Sequence, residues 1–264
     1  MSGRTDWAPV IEQAAEIVWS YDTSVTLRQL FYRLVSNQTI PNTTTAYKRL
    51  SALTAEARRD DEFPDLIDRG RTIHRYTCWP DIATALKEAR GYFRLDRTSG
   101  QDVSLYLGVE KAGMVVQLQS WFGRLGIPII ALGGYSSQTY VDDIVEDTET
   151  HDRPAVLLYG GDFDPSGEDI DRDFVERTDC WNDVVRVALT AAQVRQYALP
   201  INAGKRSDSR AAGFISRHGS LMQVELDALD PAVMRQLFAD AISEYWDTSA
   251  YEAVMDDERQ QRES

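Results

Sequence analysis

Two carboxylates lie one residue apart in the segment GDFDPSGEDI at positions 161–170, directly after an apolar run. That run, PAVLLYGG at 154–161, is typical of a buried strand, so Asp162 and Asp164 follow its carboxyl end. In an extended chain residues i and i+2 point the same way, and two adjacent anions repel unless a cation lies between them. Carboxylate oxygens are ligands that Mg²⁺ and Mn²⁺ prefer. The pair therefore indicates a site for one of these ions.

A third carboxylate, Glu110, ends the apolar run VSLYLGVE at 103–110. Ligands of an open parallel sheet bind at the carboxyl ends of its strands, so Glu110 faces the aspartate pair if the two strands are neighbours. Two interpretations need no metal: the aspartates cap a helix that starts near Gly167, and Glu110 is a solvated acid at a helix start. A calcium loop of the EF-hand type is excluded, because a strand precedes the motif and its twelfth position is Asp173.

Strands and helices alternate after residue 102, which predicts an α/β fold with a parallel sheet covered on both faces. The predicted strands are 103–110, 127–132, 154–161 and 183–189. The predicted helices between them are 111–126, a segment that ends at 145, and 166–177. From Gln223 the tail is expected to be mostly helical, with its last ten polar residues frayed.

The N-terminal part predicts a helical DNA-binding module, because two helices joined by a short turn are typical of helix-turn-helix and winged-helix domains. Its predicted helices are 7–19, 26–37 with Thr26 as N-cap, a third at 43–61 capped by Asn42, and a further one at 82–94. RTSGQD at 97–102 is the predicted linker, which divides the chain into domains 1–97 and 102–255.

The charge pattern allows a local nucleic-acid surface but not a bulk one. The net charge is −14, and residues 1–100 carry 14 basic and 13 acidic side chains. The whole-chain balance argues against bulk non-specific binding of nucleic acid. Seven basic and six acidic residues lie between Lys48 and Arg75, so a basic surface forms there only if folding separates the signs. The basic seven are Lys48, Arg49, Arg58, Arg59, Arg69, Arg71 and Arg75.

Other classes find little support in the sequence. There is no GxxxxGK[ST] phosphate loop and no GxSxG, and His218 reads as a surface-loop residue. The sequence shows no leader and no apolar run long enough to span a membrane, and its two cysteines lie far apart. A cytoplasmic, nucleoid-associated protein without a membrane partner is expected.

The acidic motifs resemble a known metal-binding fold. VEK at 109–111 and GDFDPSGEDI at 161–170 resemble a Toprim domain, and the form DxDPxGxxI is most similar to the A subunit of topoisomerase VI and its meiotic relative. The resemblance implies that Glu110, Asp162 and Asp164 bind Mg²⁺ or Mn²⁺, with Lys111 as an auxiliary residue. QVELDAL at 223–229 is similar to a Glu-containing helix of that family, which makes Glu225 a second auxiliary residue.

The segment TLRQLFYRL at 26–34 resembles the catalytic part of the family's winged-helix domain. The resemblance implies that Tyr32 is the nucleophile and Arg28 its helper, with Phe31 in place of the family's first, non-reacting tyrosine. Arg28 is four residues back and so on the same helix face, where it can favour the phenolate or hold the phosphate. Arg33 beside the tyrosine is expected to contact a backbone phosphate. Taken without the resemblance, Tyr32 reads as an aromatic at the edge of the core.

The two resemblances together imply an N-terminal winged-helix domain, a Toprim domain and a helical C-terminal tail. The implied activity is that of a type IIB topoisomerase-like transesterase, which cleaves double-stranded DNA through a 5′-phosphotyrosyl link. A homodimer is implied, in which one subunit's tyrosine meets the other's metal site, and a separate B-type ATPase subunit is a further implied partner. The basic residues of the third helix, Lys48, Arg49, Arg58 and Arg59, are expected on phosphates.

Three alternatives stay open on the sequence alone. The chain is short for an A subunit and resembles a stand-alone A-like protein of a mobile element or defence system equally well. A Toprim nuclease of such a system would use water in place of the tyrosine. A DNA-binding protein with a catalytically silent site is the third reading.

Overall fold

The computed structural model describes residues 6–21, 25–67, 76–203 and 208–263. Its α-helices in these ranges are α1 (Ala8–Ser20), α2 (Leu27–Ser36), α3 (Thr44–Arg59), α4 (Ile82–Tyr92), α5 (Ala112–Phe122), α6 (Gln138–Glu149), α7 (Pro165–Thr178), α8 (Ala191–Gln196), α9 (Ala211–His218), α10 (Pro231–Ser243) and α11 (Thr248–Glu263). Its strands there are β1 (Ser104–Val109), β2 (Ile129–Ala131), β3 (Ala155–Gly160), β4 (Asp183–Ala188), β5 (Asn202–Ala203) and β6 (Met222–Gln223). None of the helices described combines the length and apolar character needed to cross a lipid bilayer.

The chain divides into two compact units, each built from more than one stretch of sequence. Unit 1 comprises residues 1–70, 160–173 and 186–237. Unit 2 comprises residues 71–159, 174–185 and 238–264. Both aspartates of the acidic motif therefore belong to the same unit as α2 and α3.

The core of unit 1 forms around the first three helices. The side chain of Thr26 accepts a hydrogen bond from the N–H of Gln29, whose own side chain bonds the backbone of Thr26, and this capping box starts α2 at the predicted residue. Leu30, Leu34 and Leu50 from α2 and α3 are fully buried. Burial of such side chains contributes about 1.5–3 kcal/mol each. Helices α1, α2 and α3 thus lie close to where the sequence predicts helices.

The cap of α3 differs from the prediction by one residue. Thr43, rather than Asn42, has extended backbone angles, and its hydroxyl accepts a hydrogen bond from the N–H of Ala46 at 3.2 Å. Asparagine and threonine are both good N-cap residues, so the sequence Asn-Thr-Thr alone did not show whether Asn42 or Thr43 would cap α3. Arg69, Arg71 and Arg75 of the predicted basic surface lie outside the described residues.

The four-stranded sheet is parallel and has the strand order β2–β1–β3–β4, which confirms the mixed α/β class. Residues Leu107 to Val109 of β1 pair with Ile129 to Ala131 of β2. Every residue of β1 and β3 is buried, as expected for the inner strands of a parallel sheet. Gly108 allows close packing in β1, because an added Cβ would lie 3.0 Å from Leu157 Cδ1.

Residues 97–102, predicted to be a linker, are packed within unit 2. Gln101 is 4% exposed, donates its side-chain N–H to the carbonyl of Asp247, and accepts from the N–H of the same residue. The carbonyl of Thr98 accepts a hydrogen bond from Arg153. The polar composition of this segment therefore serves an internal hydrogen-bond network rather than solvent.

The C-terminal tail is largely helical, as predicted, and the described residues up to Glu263, which were expected to be frayed, belong to a helix. Helix α11 continues to Glu263. It is fixed by the buried side chain of Glu258, which accepts hydrogen bonds from Arg97 at 2.7 and 3.0 Å and pairs with Arg262. A buried charge with these partners holds the helix end in a way that its polar composition did not indicate.

We expect Glu258 to make the stability of unit 2 sensitive to acid. Hydrogen bonds from the Arg97 guanidinium lower the pKa of Glu258 from an ordinary value of 4.5 to about 2. Because the folded-state pKa is depressed, this contribution is complete above pH 4.5 and is lost as the pH falls towards 2. Glu258→Gln should destabilise the fold by about 3 kcal/mol near neutral pH, since it leaves Arg97 without its counter-charge.

Thermal unfolding of the parent chain and of Glu258→Gln, measured between acid and neutral pH, checks this expectation. Glu252→Gln is the matched control, since Glu252 is exposed on the same helix. The unfolding temperatures of Glu258→Gln and of the parent chain should become equal at low pH. Equal losses of thermal stability in Glu258→Gln and Glu252→Gln would contradict the stabilising role assigned to Glu258.

Candidate functional site

Tyr32 lines a cleft of about 330 Å³ in unit 1, together with Arg28 and the first turns of α3. We call it the tyrosine cleft; its lining residues are Arg28, Phe31, Tyr32, Asn42, Thr43, Thr44 and Tyr47. The ring of Phe31 is buried and holds those of Tyr32 and Tyr47 edge-on, with centroids 5.5 and 5.2 Å away. The amphipathic stripe of α2 thus fixes the half-buried tyrosine at the cleft wall.

Arg28 is in contact with Tyr32, as the i, i+4 spacing predicts. Its Nη2 donates a hydrogen bond to the Tyr32 hydroxyl at 3.4 Å, and its guanidinium carbon lies 5.6 Å from the centre of the ring. Partial burial lowers the pKa of Arg28, but Tyr32 and the carboxylates of Glu225 and Asp227 outweigh this and leave it raised. Arg28 is therefore a permanent cation beside the phenol.

Glu225 connects the tyrosine cleft to the acidic motif. Its carboxylate lies 3.9 Å from Arg28 Nη2 and is 16% exposed. The segment 223–229, predicted to be a helix, instead contains the end of β6, an antiparallel bridge between Val224 and Phe163, and one 3₁₀ turn (Leu226–Ala228). Two backbone hydrogen bonds between Phe163 and Val224, at 2.8 and 3.1 Å, hold the segment extended against the acidic motif.

Asp162 is bonded to the same segment. Its side chain is buried, and its Oδ1 accepts a hydrogen bond from the N–H of Leu226 at 2.8 Å. Leu226 follows Glu225 directly, so contacts within unit 1 lead from Asp162 through this segment to Arg28 and Tyr32. Two motifs far apart in sequence thus meet in one unit.

Asp164 caps α7. Its buried carboxylate accepts a hydrogen bond from the N–H of Gly167 at 2.7 Å, and Pro165 occupies the first helical position. The capping interpretation of this residue is therefore correct. It leaves the metal interpretation open, because a carboxylate has two oxygens and a backbone N–H uses one of them.

The donor set fits a hard divalent cation. Asp162 and Asp164 are 6% and 8% exposed, and each is oriented by a backbone N–H. Two buried carboxylates one residue apart repel each other unless a cation lies between them. Among the described residues, no three His, Cys, Asp or Glu side chains form a group arranged to hold a metal. The three-carboxylate centre therefore stays a prediction.

Glu110 and Lys111 belong to unit 2. Glu110 directly follows β1, the strand beside β3, and its carbonyl accepts a hydrogen bond from the N–H of Gly133 at 2.8 Å. Its side chain is half-buried, as is that of Lys111, the residue before α5. The predicted position of Glu110 at a strand end is correct.

The predicted DNA-contacting residues differ in exposure. Lys48, Arg49 and Arg59 are exposed on α3, while Arg58 donates its Nε–H to the carbonyl of Thr54. Lys48 and Arg59 lie three turns apart on one face, about 16 Å along the axis. Arg33, in contrast, is 16% exposed and pairs with Asp230 at 2.8 Å, which gives it a partner inside unit 1.

The sequence did not identify three contributors to these surroundings. Tyr47 joins the cleft because α3 follows α2 after a short turn, a contact that helix-turn-helix geometry could have indicated. Asp230 is a partner of Arg33 from a distant segment, with no local signal. His218, expected in a surface loop, ends α9, packs on Phe163 at 4.8 Å, and bonds Glu168 at 2.7 Å.

Comparisons with protein families and with curated proteins do not identify the residues of this site. The chain matches no model of a protein family, and no curated protein sequence is similar to it at a significant level.

Proposed function

We propose that this chain is a DNA-cleaving transesterase of the topoisomerase VI A-subunit type, with a winged-helix domain, a Toprim domain and Tyr32 as nucleophile. The observation that carries the proposal is the pairing of Tyr32 with Arg28 in a cleft that also contains the start of the 16-residue helix α3. A guanidinium and a helix N-terminus both favour an anion, so a DNA phosphate is well accommodated beside the hydroxyl.

The reaction exchanges one phosphoester bond for another. The Tyr32 oxygen attacks the phosphorus, a bond forms between them, and the bond from phosphorus to the 3′-oxygen breaks. The phenolic proton passes to solvent, and the leaving oxygen takes up a proton to become a 3′-hydroxyl. The 5′-phosphate stays on the tyrosine, so the reverse attack rejoins the strand. Arg28 offsets the added negative charge of the phosphate.

Asp162 and Asp164 are the residues of unit 1 that would hold Mg²⁺ or Mn²⁺. When bound, such an ion would offset the phosphate charge and stabilise the departing 3′-oxygen. The backbone hydrogen bonds of Asp162 and Asp164 support this role, because they orient both carboxylates before any ion arrives. Lys111 and Glu225 are auxiliary, and Glu225 acts by positioning Arg28.

The proposed partners are double-stranded DNA, a second copy of the chain and a separate B-type ATPase subunit. The exposed Lys48, Arg49 and Arg59 of α3 support contact with the DNA backbone. Cleavage of both strands needs two tyrosines, which a homodimer supplies. The chain's strongly negative overall charge of −14 makes such local basic surfaces decisive for binding.

A plasmid assay tests the function. Supercoiled plasmid is incubated with the protein and Mg²⁺ or Mn²⁺, then denatured and analysed with and without protease. DNA that stays with protein until protease is added supports the transesterase. Clean nicked or linear DNA without any covalent adduct, or no cleavage in the presence of every metal and of an ATPase partner, contradicts it.

Hydrolytic cleavage is the second candidate, and one observation favours it. The Asp162 and Asp164 carboxylates are buried and oriented by contacts that do not involve Tyr32. Water activated there would release a strand with free ends, and the same assay would show cleavage that Tyr32→Phe leaves unchanged.

We expect Arg28→Gln to lower adduct formation about 100-fold, because an interaction that offsets transition-state charge is lost. Arg28→Lys should recover part of the rate, since it keeps the charge without the planar guanidinium. Arg28 is 60% exposed on the side chain, so thermal unfolding should be unchanged. Equal rates for the parent and Arg28→Gln would remove Arg28 from the site.

A further inference from the structure

A second cavity in unit 1, of about 510 Å³, is lined mainly by charged side chains from α7, α9 and β4. We call it the arginine cavity. Its arginines are Arg172, Arg186, Arg210 and Arg217. His218 lines it as well. No part of the proposed cleavage chemistry uses these residues.

Carboxylates hold the arginines in place. Arg217 pairs with Glu168 at 2.7 Å, and Arg210 with Asp208 at 2.9 Å. Arg186 pairs with Asp171, and Arg172 with Asp169 at 2.8 Å. A guanidinium has five N–H donors, and a carboxylate can engage two of them, so such pairing orients the group. Arg186 also donates to the carbonyls of Leu189 and Asp162, so a further acceptor is assigned to Arg210 and Arg217 instead.

The charges of the wall are balanced. The four arginines are matched by the four carboxylates of Glu168, Asp169, Asp171 and Asp208, in a chain whose net charge is −14. Burial raises the pKa of Asp171, against the opposing effect of Arg186. A ligand with one or two negative charges therefore meets less repulsion at this balanced wall than the net charge of the chain would produce on average.

His218 adds an oriented donor or acceptor to the same wall. Its ring packs against Phe163 and Phe214, with centroids 4.8 and 4.5 Å away, and its Nε2 is bonded to Glu168. The two carboxylate oxygens of Glu168 thus bond Arg217 and His218, one each. Glu168 engages Nη2 of Arg217 and Nε2 of His218, so a phosphate oxygen would be bound by the other N–H groups of Arg217.

The cavity also adjoins the acidic motif. Pro165, which follows Asp164, lines it, and Phe163 between the two aspartates contacts His218. A nucleic-acid strand that passes the aspartates would bring a neighbouring phosphate to this wall. A nucleotide carries the same chemical group.

We propose that the arginine cavity binds a phosphate ester, with Arg210 and Arg217 holding phosphoryl oxygens and Glu168 positioning Arg217 and His218. The site takes either a backbone phosphate of DNA or the phosphates of a nucleotide. Its existence does not depend on the reaction of Tyr32, although with DNA as the ligand it extends the path of the strand in the proposed function.

Binding measurements on the full chain carrying Tyr32→Phe test the proposal, because they exclude cleavage. The probes are a single-stranded oligodeoxynucleotide, followed by fluorescence anisotropy, and ATP, followed by calorimetry, both with metal removed by chelation. Arg217→Gln and Arg210→Gln should each weaken binding about tenfold, the effect of losing one charge-assisted hydrogen bond. For the oligonucleotide, the salt slope should also fall by about one.

The two probes separate the two sources of phosphate. An effect on the oligonucleotide alone assigns the cavity to the DNA strand, and an effect on ATP assigns it to nucleotides. Arg217→Lys, which keeps the charge, should recover part of the affinity. Arg217 is 58% exposed on the side chain, so its replacement should leave thermal unfolding unchanged.

Arg259→Gln is the matched control, because Arg259 is 64% exposed and paired with Asp256 on α11. It removes the same charge away from the cavity. The proposal is overturned if neither probe binds the parent chain, or if Arg217→Gln weakens binding no more than Arg259→Gln does. Loss of cleavage by Tyr32 variants alone would leave these results unaffected, so the two proposals fail separately.

Discussion

Tyr32→Phe is expected to abolish the covalent DNA–protein adduct, with a loss of at least about three orders of magnitude. Removal of a covalent nucleophile has effects of this size or larger in enzymes that depend on one. The substitution deletes one hydroxyl and keeps the ring, whose edge-on contact with Phe31 at 5.5 Å should persist. The measurement is the fraction of plasmid retained with protein after denaturation, relative to the parent chain.

Tyr47→Phe is the informative comparison for this prediction. Tyr47 lines the same cleft, packs edge-on against the same Phe31, and also presents a phenol. Tyr32 is the tyrosine that receives a hydrogen bond from Arg28, at 3.4 Å. Tyr47→Phe should therefore retain most of the adduct. Loss in Tyr47→Phe with retention in Tyr32→Phe would transfer the nucleophile to α3.

Asp162→Asn combined with Asp164→Asn is expected to remove the metal dependence of cleavage. Asparagine keeps an oxygen for the N–H of Leu226 and for the N-cap of α7, so the fold should tolerate both changes. The negative charge that attracts the cation is lost. Replacing residues that merely support metal ligands costs roughly 10–100-fold, so the loss here should be at least about 100-fold.

Titration of Mg²⁺ against cleavage measures this effect. The parent chain in the presence of a chelator should fall to the rate of the double variant, and added Mg²⁺ should restore only the parent. Glu176→Gln is the control for the loss of negative charge, because it replaces an exposed carboxylate on α7 by an amide. A double variant that still responds to Mg²⁺ like the parent would show that these aspartates serve only as caps.

The sequence predicted those elements in which local signals agree. Helix α2 has its apolar stripe, a capping threonine and a glutamine three residues later, and it begins where expected. Strands β1 and β3 are uninterrupted apolar runs flanked by turn residues, and both were identified. In each case the residues that determine the element lie within it.

The segment 223–229 shows where such reasoning stops. Leu226 and Leu229 have a spacing that fits one face of a helix, but Val224 pairs with Phe163 and the N–H of Leu226 bonds Asp162. Both partners lie about 60 residues away in the chain. Hydrogen bonds with distant residues thus outweighed the local pattern.

Some contacts of the candidate site follow from local spacing in the sequence, and others depend on distant segments. The Arg28–Tyr32 contact follows from helical spacing, so the sequence was sufficient for it. The role of Asp230 as partner of Arg33, and that of Glu225 as partner of Arg28, depend on which segment folds against α2. Helix α9, with glycine at its third position, carried too weak a local signal to be identified.

The proposed function depends on a covalent bond between DNA and the oxygen of Tyr32, and mass spectrometry of the trapped adduct detects that bond. Adduct formed with Mg²⁺ is denatured, trimmed with nuclease and digested with trypsin, which cuts after Arg28 and Arg33 to release QLFYR, residues 29–33. We expect this peptide to carry a nucleotide on its single tyrosine. A nucleotide found on a peptide of another tyrosine, or cleaved DNA with no modified peptide, would contradict it.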